Sequence, residues 1–370
     1  MNLDVRKKVL EKEMEYANVK DNLIFDLNAE LKPELVYFRP EVEIITDIVI
    51  EYLVTGIPQH ILVLGWRGSG KTTSVLMVIK TIIKELSSSE SMREKNVFLE
   101  KYYYVNVREN PTRAGIFEAV LGRSVRGFSF SEVLKDLDDA LGGKTVIIFD
   151  EVDFIKDNEI FYHVSRSTKA LIIAIVQNIN WYKSLDSGIQ SSFMPRFIFF
   201  KNYDAMQLKE ILMLRAKHGL FHYDEGAVSL ISAIVARDFH GDARIGIRAL
   251  YHAGKQDKWD EKAIKECIEV AVKEIELHTL SHLSLKDLII LSVLAEQNET
   301  NKAYETVSNS LKNFGIYISK PTYYRTLNFL QSLGIITLIK KKAGRYYTYE
   351  AQLLTTPELI FNLMNSKFIQ

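Results

Sequence analysis

The chain has 370 residues, more than one compact domain needs, so two or three domains with ample core are expected. Lys plus Arg and Asp plus Glu are both 47, so no global field draws the chain to nucleic acid or membrane, and any basic surface must be local; neutrality does not exclude DNA. The single cysteine, Cys267, forbids an internal disulfide, no apolar run approaches the roughly 18 residues of a membrane span, and the charged residues 1–16 do not read as a signal peptide, so a cytoplasmic protein with no membrane partner is expected.

From residue 59 to residue 200 short apolar runs (61–64, 102–107, 146–149, 171–176 and 197–200) alternate with helical patterns, which predicts an α/β domain with a mostly parallel, buried sheet. After the first run comes Gly65-Trp66-Arg67-Gly68-Ser69-Gly70-Lys71-Thr72-Thr73. Its glycines let the backbone turn tightly and aim N–H groups inward at a helix start, an anion nest suited to the phosphates of ATP or ADP. Lys71 would reach the β and γ phosphates, and Thr72 would ligate Mg2+. The stretch 86–95, serine-rich and charged, reads as a solvated loop or frayed helix end.

The run 146–149 ends in Asp150-Glu151, which places two carboxylates at the carboxyl edge of the sheet beside the glycine loop. Asp150 would hold the metal, and Glu151 would activate the attacking water. Asp153 reads as a structural residue or helix cap. The run 171–176 ends in Gln177-Asn178, either of which could position that water, with a turn-forming asparagine as the alternative. Beyond residue 204 the strand signal vanishes and amphipathic helices follow. In Gly241-Asp242-Ala243-Arg244, Asp242 is a candidate N-cap, and Arg244 in a first helical turn needs an anionic partner, for which a nucleotide phosphate is the candidate. Cys267 lies among Ile268, Val270 and Ala271, as a buried structural thiol would.

Three helical patterns (285–294, 303–314, 321–333) and two short strands (335–339 and 346–349, separated by 340–345) follow, the order of a winged helix. At the start of its third helix Thr322, Tyr323, Tyr324, Arg325 and Asn328 are the candidates for base edges in duplex DNA. Lys340, Lys341, Lys342 and Arg345 would meet phosphate. Residues 281–370 carry ten Lys or Arg against six Asp or Glu, a modest excess that also suits a winged helix used for protein contacts. The expected domains are 1–203 for the nucleotide-binding part, with an N-terminal extension to about 35, then 204–279 for a helical lid and 280–370 for the winged helix.

These pieces resemble the AAA+ ATPases and, among them, the archaeal origin-recognition replication initiators. The resemblance is carried by Phe149-Asp150-Glu151-Val152-Asp153, Tyr104-Val105-Asn106-Val107-Arg108, Gly241-Asp242-Ala243-Arg244 and the C-terminal winged helix, in that family's order. It implies that Asn178 is sensor 1, that Arg244 is sensor 2 and that residues 35–41 lie near the adenine. It also implies a nucleoid-associated, ATP-dependent initiator that binds duplex DNA, with other initiator subunits or a replicative helicase as possible partners. One departure stands out: Gly188 occupies the position where the family carries an arginine finger for a neighbour's ATP, with Arg196 a few residues on. Slow hydrolysis, a switch rather than a motor, is expected. The segment 111–142, where the family places an extra DNA-contacting helix, is short. The alternative reading is a non-replicative ATPase of the signalling type, or a paralogous regulator, whose winged helix binds a partner or controls transcription.

Overall fold

The computed structural model describes residues 5–27, 29, 31–343 and 346–368. It contains two compact units, Met1–Ile268 and Glu269–Gln370.

In the first unit, helices α1 (Val5–Glu15) and α2 (Pro40–Thr55) precede strand β1 (Ile61–Gly65), and α3 (Lys71–Ser87) and α4 (Glu90–Glu94) precede β2 (Lys101–Asn106). The stretch 86–95, expected to be a loop or a frayed helix end, holds the end of α3 and the short helix α4. Helices α5 (Arg113–Leu121) and α6 (Phe130–Ala140) lead to β3 (Thr145–Asp150), α7 (Glu159–Ser167) to β4 (Leu171–Val176), and α8 (Asn180–Lys183) and α9 (Ser187–Phe193) to β5 (Arg196–Phe200). The five strands form one sheet in the order β2-β3-β4-β1-β5, and every pairing is parallel.

The buried sheet explains why its strands read as unbroken apolar runs: every residue of β3 and β4 is buried, with neighbours sent to opposite faces. Leu62, Leu64, Ile147, Phe149, Ile172 and Ala174 join the core beneath α5, α6 and α7, whereas Ile61, Val63, Val146, Ile148, Leu171 and Ile173 join the core beneath α2 and α3. Each of the larger of these side chains contributes about 1.5–3 kcal/mol by leaving water. The register leaves the carboxyl ends of β1, β3 and β4 along one edge.

Helices α10 (Ala205–Gly219), α11 (Glu225–Asp238) and α12 (Ala243–Ala253) form the expected helical lid. Helix α10 starts at a reciprocal cap between Asp204 and Gln207, which satisfies two backbone donors. The N-terminal segment is bound to this lid: Lys20 N–H donates to the Gly219 carbonyl at 2.8 Å, Phe221 N–H to that of Asn18 at 3.0 Å, and the buried Arg215 guanidinium to that of Ile24.

The division between units falls within α13 (Glu261–Ser281). Cys267 on this helix is buried, and desolvation pushes its thiol up to about 11, the inert state expected of it. In the second unit α14 (Leu285–Glu296), α15 (Thr300–Lys312) and α16 (Lys320–Ser332) are followed by the antiparallel strands β6 (Ile336–Ala343) and β7 (Tyr346–Leu353), in the order of a winged helix, and then by α17 (Pro357–Phe368). The hairpin is longer than expected: Lys340, Lys341 and Lys342 continue β6, opposite Tyr349, Thr348 and Tyr347, instead of lying between two short strands. Helix α17, which packs on α14, was not expected.

Candidate functional site

Strand β1 delivers the glycine loop to the sheet edge, and helix α3 begins at Lys71. Gly68 has φ 70° and Gly70 φ 81°, the left-handed region that glycine enters without cost. A Cβ at Gly68 would overlap the Asp242 carboxylate, and one at Gly70 the Tyr203 hydroxyl. The lid closes on the loop at this point, where Ala243 N–H donates to the Gly68 carbonyl at 3.2 Å. Ser69 is buried, its Oγ donating to the Trp66 carbonyl at 2.8 Å, while Thr73 is exposed on the first turn of α3.

Lys71 Nζ donates to the carbonyls of Gly65 at 2.6 Å and Trp66 at 2.8 Å, and burial pushes its pKa down to about 8. Thr72 Oγ1 donates to Asp150 Oδ2 at 2.7 Å, joining the loop to the end of β3. Tyr104 Oη donates to the same oxygen at 2.9 Å, and Asp150 Oδ1 accepts the Glu151 N–H at 2.8 Å. Burial, then Asp150, raises the Tyr104 phenol. Glu151 leaves the strand at φ 52°, and its Oε1 lies 3.4 Å from Arg108 Nη1.

Asp153 is structural, as expected. Its Oδ2 accepts the Gln177 N–H at 2.8 Å, which fixes the exit of β4 against that of β3, and burial raises its pKa. The Asn178 Oδ1 accepts the Asn180 N–H at 2.9 Å, so in this structure that amide shapes its own turn. Arg244 is held by a carboxylate beside it. Its anionic partner is Asp242, bound in two places, Nε to Oδ1 at 3.0 Å and Nη2 to Oδ2 at 2.5 Å. Asp242 also caps α12, as predicted, by accepting the Arg244 N–H. Burial lowers the Arg244 pKa, Asp242 raises it, and the carboxylate prevails.

Four residues of this site were given no individual role by the sequence. Tyr104 and Arg108 sat in a quoted motif but received no role. Arg39 is buried; Nη1 donates to the Ser69 carbonyl at 2.6 Å and Nη2 to that of Lys201 at 2.8 Å, with its guanidinium 4.6 Å from the Tyr203 ring centroid. Arg67, inside the glycine loop, is desolvated and crowded by Arg244 and Arg108, and its pKa falls to about 10. Arg67, Lys71, Arg108 and Arg244 thus converge on one place, where buried cations favour a multiply charged anion.

In the second unit Ser319 caps α16, and Arg325 and Asn328 are exposed on it. Thr322 Oγ1 shares a hydrogen bond with Ser319 Oγ at 2.9 Å, and Tyr324 donates to Asn301. Tyr323 is no base-reading residue: it is fully buried, with its hydroxyl donating to the Thr300 carbonyl at 3.1 Å. Lys340 and Lys342 are exposed on β6, and Lys341 pairs with Glu350 at 2.6 Å. Arg345 lies outside the described residues.

A parallel sheet carrying a glycine loop, an adjoining carboxylate pair and a helical lid seated on that loop defines the P-loop fold of the AAA+ class. No protein-family model matches the chain. It is 28% identical over 370 residues to ORC1-type DNA replication protein 1 of Sulfurisphaera tokodaii, spanning 90% of this chain and 90% of that protein. Its fold matches that of the Aeropyrum pernix ORC1 protein, solved in complex with DNA, with TM-score 0.68 and 23% identity over 94% of this chain and 97% of that one. It also matches the Aeropyrum pernix ORC2 protein in ADPNP–ADP complexes, with TM-score 0.59 and 21% identity over 95% and 100%. The chain therefore resembles the archaeal ORC1-type proteins along nearly its whole length. Among the described residues no helix is long and apolar enough to cross a membrane.

Proposed function

We propose that this chain is an ATP-dependent, DNA-binding replication initiator of the ORC1 type, in which the nucleotide state of the first unit sets how the winged helix of the second grips duplex DNA. The carrying observation is similarity to ORC1-type DNA replication proteins over nine-tenths of both chains, joined to a fold shared with an ORC1 protein solved on DNA.

The residues present fit a nucleotide. The loop offers backbone N–H groups at a helix start, and four buried or half-buried cations face the same place. Lys71 exchanges the Gly65 and Trp66 carbonyls for phosphate oxygens, and Arg244 shares its guanidinium between Asp242 and phosphate. Thr72 and Asp150 would hold Mg2+, since their oxygens already lie 2.7 Å apart and suit a hard cation. A bound magnesium nucleotide supplies the scissile phosphoanhydride and its charge neutralisation. Glu151 would act as base toward water, with Arg108 holding it in place, and the Asn178 amide would have to leave its local turn to assist. A glycine at 188 offers no cation to a neighbouring copy, so turnover is slow.

On DNA, Thr322, Tyr324, Arg325 and Asn328 would face the groove while Lys340 and Lys342 meet phosphate. A mobility-shift titration of duplex DNA at low salt, with ATPγS, ADP or no nucleotide, tests the proposal. Binding that responds to nucleotide in the wild type but not in Lys71→Ala is expected, and a folded chain with no duplex affinity overturns it. Mapping chromosomal occupancy then separates an origin binder from the regulator reading.

A further inference from the structure

Asp150 is held from two elements besides its own strand. Tyr104 lies on β2 in register with Ile148 of β3, and Asn106, two residues further along β2, stands opposite Asp150. Side chains two apart along a strand share a face, so the Tyr104 phenol reaches diagonally across the sheet to Asp150 Oδ2, to which it donates at 2.9 Å. Helix α3 brings the Thr72 hydroxyl to the same oxygen at 2.7 Å. The other oxygen, Oδ1, accepts the Glu151 N–H at 2.8 Å.

Each oxygen of an ionised carboxylate has about two lone-pair sites. The two hydroxyls therefore fill Oδ2, and one site remains on Oδ1. Thr72 gives its proton to Asp150, which leaves the lone pairs of Oγ1 open to a cation. Asp150 is only 5% exposed, so water is a poor replacement for a lost donor. Packing does not account for Tyr104. The rings of Tyr102 and Tyr103 pack against the two cores of the first unit, whereas Tyr104 belongs to neither and is 39% exposed. We infer that Tyr104 is a positioning residue for the magnesium site: by holding Asp150 Oδ2 it leaves Thr72 Oγ1 and Asp150 Oδ1 as the oxygens offered to the cation. Groups that hold a metal-binding carboxylate in place govern how well it binds. The inference rests on the nucleotide-binding reading given above and adds to it a residue that acts on the metal through Asp150.

Binding of fluorescent ATPγS to the full chain, titrated with magnesium chloride and repeated in EDTA, tests it. The chains compared are wild type, Tyr104→Phe, Asp150→Asn, the double variant and Lys71→Ala. Tyr104→Phe keeps the ring and is expected to raise the magnesium concentration at half-maximal binding about tenfold, with affinity in EDTA changed by less than about twofold. Because Tyr104 acts through Asp150, the double variant should lose no more than Asp150→Asn alone. Urea unfolding checks each fold, and if the double variant does not fold the magnesium titration of Tyr104→Phe decides. An unchanged magnesium dependence, an equal loss in EDTA, additive losses in the double variant, or a wild type indifferent to magnesium overturns the role of Tyr104. In each of those cases binding abolished by Lys71→Ala leaves the nucleotide reading standing. A wild type that binds no ATPγS overturns both.

Discussion

Arg39 reaches Ser69 from thirty positions upstream, its buried guanidinium donating to the Ser69 carbonyl at 2.6 Å. The same group holds the Lys201 carbonyl and stacks on Tyr203, so one side chain fastens the N-terminal segment, the glycine loop and the exit of β5 together. Arg39→Ala leaves two backbone carbonyls without this donor and is expected to cost about 3 kcal/mol. Urea unfolding should show a lower midpoint with an unchanged slope. Arg39→Lys, which lacks the planar fork, should recover only part of the loss.

Asp153 acts on the exit of β4 through the Gln177 N–H. Asp153→Ala removes that acceptor and frees the turn carrying Asn178, so hydrolysis per bound nucleotide should fall more than nucleotide affinity does. Single-turnover rates compared with displacement titrations separate the two effects. Equal losses in both would assign Asp153 to binding instead.

His60 sets a pH limit on the first unit. Its ring is buried against Phe193, Nδ1 accepts the Ile172 N–H at 3.2 Å, and burial pushes its pKa down to about 4. The unfolded ring takes up a proton near pH 6.5, but the folded one does so only near 4. Stability from this group is therefore complete above about 6.5 and is lost as pH falls towards 4, by about 3 kcal/mol across the window. Denaturant titrations at pH 7, 6 and 5 should follow this slope, and His60→Gln should flatten it.

Tyr323 and Arg325, two residues apart on α16, should fail in opposite ways. Tyr323→Phe removes the hydrogen bond to Thr300 and should cost about 1 kcal/mol of stability with little change in DNA affinity. Arg325→Ala should weaken duplex binding and relax its sequence preference while leaving the unfolding midpoint in place.

The strands were legible because a sheet buried on both faces leaves no polar residue to interrupt β3 or β4, and the glycine loop because a phosphate nest is a local backbone property. Tyr323 was legible too. It lies four and seven positions before Leu327 and Leu330, on the inner stripe, and its aromatic identity drew attention away from that phase. The extent of β6 was hidden because three consecutive lysines on an exposed hairpin look like a turn. Arg39 over Ser69 and Asp242 with Arg244 follow from tertiary approach and from a choice between two anions, neither of which spacing reveals.

Position 188 begins a helical turn in α9, and a Cβ built there meets nothing within 4 Å. What glycine lacks at this position is thus chemistry rather than space. Gly188→Arg should therefore leave the fold intact, the small gain in helix propensity being offset by a cation in the first turn, and a single codon would present a guanidinium on the exposed face of this helix.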